Sequence, residues 1–286
     1  MRTWRIVPTQ VSDAFTNMAV DEAILESRIR KKVPNTVRFY RWNPSAVSIG
    51  RFQSIDKEVN LDTCRRMGVD VVRRASGGGA VYHDYARELT YSVVVDCDEP
   101  RITSDLLTSY KAVCDGILRG LALLGVHVEL DASDPSQRCP NIMIKGKKVS
   151  GNAQARRRGV LLQHGTILLD LDIETMLTVL RNPKLIINDT VVEFVRHRIT
   201  TLSRELNRDI GFDEVADSLR RGFSEAFDID LIKEKLTGEE VVLAEEFRVK
   251  RYTSHDWNYA PQRFVESGGS GFKPGEKDDT RTDTDR

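Results

Sequence analysis

Between Arg73 and Asp84 the chain reads RRASGGGAVYHD, two cations followed by three glycines, then an aromatic, a histidine and an acid. Glycine has no Cβ, so Gly77, Gly78 and Gly79 can take positive φ and bring backbone N–H groups close to a ligand. Such a run can cradle phosphate or carboxylate oxygens, and Arg73 or Arg74 would supply a planar guanidinium for the same charge. The flanking VVRR and AVYH read as short strands holding the loop, which favours an anion site over a flexible turn. Ser76 would either bond to the ligand or close a turn.

A second dense stretch runs NIMIKGKKVSGNAQARRRGVLLQHGTILLDLD over residues 141–172. Lys145-Gly146 fits a tight hairpin turn between two strands. Period-two alternation then puts Lys148 and Ser150 on one strand face and Lys147 and Val149 on the other. Gln163, His164 and Gly165 interrupt an apolar strand. Polar groups there must bond internally or line a site, because burying them unpaired is costly. Taken alone, Lys148 reads as a solvated hairpin charge, and His83 and His164 as satisfied structural groups.

The remaining pattern describes what positions these stretches. Residues 12–31 form an amphipathic helix, VRFYRW (37–42) and AVSIG (46–50) are strands, and Ser54 caps a further helix. LTYSVVV (89–95) has the β-branched run of a buried strand. Ser104 caps a long helix ending at Gly125, VHVEL (126–130) is a strand, and residues 131–140 are a loop. Helices follow at 173–181, 213–227 and 239–250. The stretch from 267 is charged, glycine-rich and nearly free of hydrophobes, so residues 263–286 are expected to be a disordered tail.

With 286 residues the chain can bury a substantial core. Lys plus Arg equals Asp plus Glu at 43 each, which argues against broad nucleic-acid coating. The four cysteines, Cys64, Cys97, Cys114 and Cys139, form no CxxC pair and no zinc-like spacing with the five histidines. They read as free thiols, Cys114 as packing. No segment has the length of a bilayer span and the start is no signal peptide, so the expected setting is cytoplasmic, with neither nucleic acid nor membrane as partner.

These stretches together resemble the lipoate–protein ligase and octanoyltransferase family, which shares the biotin–protein ligase catalytic fold. The resemblance rests on Asn17-Met18-Ala19 with Asp21-Glu22, AVSIGRFQ, RRASGGGAVYHD, GKKVSGNAQ, LLQHGTILLD and YTSHDWNY, in that order along the chain. It implies an α+β catalytic domain over residues 1–262, with a mixed sheet and packed helices. The implied activity is ATP-dependent lipoate ligation, in which lipoate and ATP with Mg2+ give lipoyl adenylate. The acyl group then passes to a lysine of a lipoyl-acceptor domain, such as glycine cleavage H protein or an E2 subunit of a 2-oxoacid dehydrogenase. Lys148 would contact the acyl carboxyl oxygen and the adenylate phosphate. Arg73, Arg74, Ser76, the three glycines, His83, Asn141, Ser150, Gly151 and His164 would bind the acyl group or adenylate. Ligases commonly carry an acid after that asparagine, where this chain has Ile142, and large ligases carry an accessory domain after the WNY region. A split ligase with a separate accessory subunit is therefore the expectation. Two alternatives stand beside it. One is octanoyl transfer from acyl-carrier protein with Cys139 as nucleophile, although Cys139 by itself reads as an incidental thiol. The other is a catalytically inactive binding module.

Overall fold

The computed structural model describes residues 2–131, 139–181 and 187–260. The expected tail and most of the loop before Cys139 lie outside them. In chain order the strands are β1 (Arg2–Ser12), β2 (Thr36–Trp42), β3 (Ala46–Ile49), β4 (Asp70–Arg73), β5 (Val81–His83) and β6 (Glu88–Asp96). After these come β7 (Glu129–Leu130), β8 (Ile142–Ile144), β9 (Lys147–Ser150), β10 (Asn152–Arg157), β11 (Val160–Leu168) and β12 (Ile229–Lys233). A six-stranded mixed sheet has the order β10-β11-β6-β2-β1-β12. Two small three-stranded sheets, β4-β3-β5 and β7-β8-β9, carry the glycine loop and the lysine hairpin. The architecture is α+β.

The main sheet is covered on both faces, which is why all of β6 is buried, as its apolar run predicts. Tyr91, Val93 and Val95 pack with Ile117 and Leu121 of the helix Leu106–Leu123 and with Leu219 and Phe223 of the helix Phe212–Phe227. On the opposite face Val94 and Leu162 meet Val20 and Ile24 of the helix Ala14–Ile29. The first two helices touch backbone to backbone. A Cβ on Gly222 would lie 2.2 Å from the Gly116 carbonyl oxygen, so glycine is required at that crossing.

Several local expectations need correction. Asp105, one residue after Ser104, caps the long helix, its carboxylate accepting from the Thr108 N–H at 2.8 Å. The expected helix after Ser54 divides into Ile55–Glu58 and Leu61–Met67; Asn60 caps the second piece and Gly68 closes it at φ 65°. Only Glu129 and Leu130 of the 126–130 stretch pair as a strand. β1 has no clean sequence signature because Pro8 lies where its register with β2 shifts, between Val7 and Gln10. The hairpin turn forms as expected, with Lys145 and Gly146 both at positive φ, 49° and 73°.

Candidate active site

β3, β4 and β5 support the glycine loop, and β9, β10 and β11 face it across a cavity of about 250 Å3. Arg74, Gly78, Gly79 and His83 line the first wall. Cys139, Asn141, Lys148, Gly151 and His164 line the other. Met18, Tyr40, Trp42 and Thr90 contribute from the main sheet and the helix Ala14–Ile29. The cavity therefore gathers residues from nearly 150 positions apart in the chain (Met18 to Thr166).

The two arginines differ sharply. Arg73, at the end of β4, is fully covered and does not line the cavity. Its guanidinium donates to the carbonyls of Gly50, Arg51, Gln53, Trp257 and Asn258 at 2.6–3.2 Å. It thereby ties the glycine-loop sheet to the WNY segment. Arg74 faces the cavity but also spends its donors internally. Nε donates to Ser76 Oγ, Nη1 to the carbonyl and hydroxyl of Ser48, and Nη2 to the carbonyls of Gly77 and Gly79 at 2.6 and 2.8 Å. Arg74 thus holds the loop shape from within. Gly78 sits at φ 92°, a conformation glycine alone adopts easily, and a Cβ there would come within 2.9 Å of Arg74 Nη2.

Two buried carboxylate–histidine arms brace Arg74. Glu88 lies 2.7 Å from His83 Nδ1, and His83 Nε2 lies 2.8 Å from Ser48 Oγ. Asp21 lies 3.3 Å from His164 Nδ1, and His164 Nε2 lies 2.6 Å from Ser76 Oγ. Asp21 also accepts from Arg38, Tyr40 and Ser92. Burial works against the Asp21 carboxylate, but the His164 bond, the Arg38 charge and Ser92 outweigh it and hold its pKa low. Burial pushes His164 below the ordinary histidine value despite the carboxylate beside it. Of the polar pair in β11, Gln163 bonds internally to Gln154 and Tyr91, whereas His164 reaches the cavity.

Lys148 projects over Gly151, where a Cβ would come within 2.9 Å of its Nζ. Burial lowers the Lys148 pKa, and the Arg74 cation lowers it further, while Cys139 acts in the opposite sense. Arg74 interacts electrostatically with Cys139 as well. The Cys139 thiol therefore stands beside two cations, with Sγ 3.0 Å from Tyr110 Oη. Cys114, by contrast, is fully buried and its thiol is pushed up to about 12, which fits packing. Ser76, Gly77 and Ser150 do not line the cavity. Ile142 points into the main core, so no side chain from that position reaches the site. Sequence reasoning missed Ser48, Glu88 and Tyr110, and the pairing of Asp21 with His164. Among the described residues no carboxylate lines the cavity and no three His, Cys, Asp or Glu groups cluster to hold a metal, so the donor set does not suit Mg2+. Among them, too, no helix is long and apolar enough to cross a membrane.

The chain belongs to the lipoyl protein ligase A/B catalytic domain family, whose match spans residues 13–224. It is 38% identical over 275 residues to octanoyltransferase LipM of Brevibacillus brevis, covering 90% of this chain and 99% of that protein. Octanoyltransferase LipM of Kyrpidia tusciae is also 38% identical, covering 91% and 99%. A solved structure of a bi-partite lipoate protein ligase from Thermoplasma acidophilum, described with its E2 lipoyl domain, superposes with TM-score 0.79 at 30% identity. It covers 93% of this chain and 100% of that one. The fold and family expectations hold. The relatives overturn the expected ATP-dependent lipoate ligation and favour the octanoyl-transfer alternative, because these full-length relatives are octanoyltransferases. The family supports an enzyme, and the Thermoplasma ligase is the one described with an E2 lipoyl domain.

Proposed function

We propose that the chain moves an octanoyl group from the thioester of an acyl-carrier protein, by way of Cys139, to one lysine of a lipoyl-acceptor domain. The observation that carries this reading is the Cys139 thiol in the cavity wall, with the Lys148 and Arg74 cations beside it. A thiol needs such a neighbourhood to act as a nucleophile.

In the first step the Cys139 thiolate attacks the donor carbonyl. The donor's C–S bond breaks, and the departing thiolate takes up the proton that Cys139 gave away. In the second step the acceptor lysine attacks the new thioester, the bond to Cys139 breaks, and the amine's proton returns to sulfur. Lys148 is placed to hold protons between the two steps, since its lowered pKa eases their release. Its positive form steadies the oxygen charge that builds during each attack. Energy comes from the donor thioester, so no nucleotide is needed. The cavity, at about 250 Å3, lies below the ~300–1,000 Å3 of drug-sized ligand sites and suits one short acyl chain better than an acyl adenylate.

The test supplies two substrate sets separately to the purified chain with an acceptor domain and follows acceptor mass. Octanoyl carrier protein without ATP should modify the acceptor, and Cys139→Ala should abolish that product. Modification only from free acid plus ATP would reject the proposal.

A further inference from the structure

Tyr110 sits in the first turns of the helix Leu106–Leu123 and is 1% exposed, and its hydroxyl meets the sulfur of Cys139, a residue of the cavity wall. Its oxygen lies 3.0 Å from Cys139 Sγ, within reach of a sulfur hydrogen bond. Ala112, Val113 and Cys114 of the same helix are buried too, and Arg156 of β10 ties the start of the helix by donating to the carbonyls of Thr103, Ser104 and Asp105. The thiol is thus met by a phenol on a helix whose start is tied to β10, while the cations near it act through space.

We propose that Tyr110 is a positioning residue for the reaction, holding the Cys139 sulfur and donating its O–H to that sulfur whenever it carries negative charge. The inference rests on Cys139 being the acyl carrier, as proposed above. Sulfur is negative twice in the cycle, before it attacks the donor thioester and again as it leaves when the acceptor lysine displaces it. In the thioester between them, sulfur is a poor acceptor and the bond weakens. The hydroxyl therefore favours the states at either end of each transfer over the covalent resting point. No proton is lost from Tyr110 in either step; burial holds the phenol well above its ordinary value, and the neighbouring thiol raises it further. It is a donor and never a base. A charged acceptor is where a single hydrogen bond counts most.

The perturbation is Tyr110→Phe, which keeps the ring and removes one oxygen. Iodoacetamide alkylation of Cys139, followed across pH by peptide mass, should keep its sigmoid form with the midpoint raised by about 1 pH unit, the size expected for one hydrogen bond to a charged group. Octanoyl transfer at neutral pH should fall by roughly tenfold and recover as pH rises. An unchanged midpoint in a variant that melts like the wild type would overturn the proposal. A second measurement avoids any folding defect. In the wild-type chain labelled at tyrosine Cζ, one of the 7 tyrosine resonances should move with the Cys139 alkylation midpoint and stay still in Cys139→Ala. If no resonance follows the thiol, Tyr110 has no such role. Failure of the underlying reading looks different: Cys139→Ala would keep transferring octanoyl, whatever the alkylation curves show.

Discussion

Replacing Arg73 by methionine separates a residue that builds the site from one that meets the substrate. The guanidinium engages four of its protons with five backbone carbonyls, from Gly50–Gln53 on one side and Trp257–Asn258 on the other. Methionine matches the length of the stem and supplies no donor. At about 1 kcal/mol net for each proton engaged, less what the thioether recovers in packing, the loss should be ~3 kcal/mol. For a chain of this size that lowers Tm by roughly 6–12 °C. Urea unfolding followed by tryptophan fluorescence suits the question, because Trp257 donates its indole N–H to the Arg73 carbonyl and senses this joint. Octanoyl transfer per folded molecule, measured well below the transition, should stay within about tenfold of wild type, or 1.4 kcal/mol of barrier. Stability within about 1 kcal/mol of wild type, combined with transfer lost by orders of magnitude, would refute the reasoning and return Arg73 to the ligand site.

Lys148→Ala should behave in the opposite way, retaining its unfolding midpoint while transfer falls by ~3–4 kcal/mol of barrier, as read from kcat/KM. Gly151→Ala should fold normally but displace the Lys148 ammonium that lies 2.9 Å from the new Cβ, costing on the order of 100-fold in kcat with little change in melting. Gly222→Ala should destabilise by at least ~3 kcal/mol in urea titration, because two helix backbones must separate to admit the methyl. Stability should also depend on pH through His164 and Asp21, whose folded pKa values both lie below the ordinary 6.5 and 3.8. Each binds fewer protons folded than unfolded. Their contribution is therefore complete above about pH 6.5 and is lost first as pH falls through the histidine range, then again below about 3.8. Chemical unfolding of wild type and His164→Gln at several pH values should find the first loss only in wild type.

Local signals carried most of the fold. The β-branched run of β6, the positive-φ turn at Lys145-Gly146 and the glycine loop each follow from side-chain propensity or backbone freedom within a few residues. The site was legible as stretches but not as partnerships. Asp21 and His164 are 143 positions apart and Tyr110 and Cys139 are 29 apart, so no local pattern joins them. Arg73 and Arg74 looked equivalent because they are adjacent. Arg74 follows the last residue of β4 and keeps its pairing to β3 through Ile49, so the two side chains take opposite faces as in a strand; one reaches the cavity and the other fastens the WNY segment. The reaction itself was misjudged because the glycine loop and the lysine hairpin suit acyl adenylate and acyl thioester chemistry alike. The relatives carry the choice between them, and Cys139, whose setting depends on Lys148 and Tyr110 from other elements, is the group that would distinguish them in the site.

In the proposed reaction the acyl group rests on Cys139 between donor and acceptor. The direct measurement is the intact mass of the chain after mixing with octanoyl carrier protein and quenching in acid, without acceptor or ATP, with the modified peptide then located. One octanoyl adduct is expected, on Cys139, released by hydroxylamine and discharged on adding an acceptor domain. Full acceptor octanoylation by a Cys139→Ala chain, with no adduct on the wild type, would contradict it.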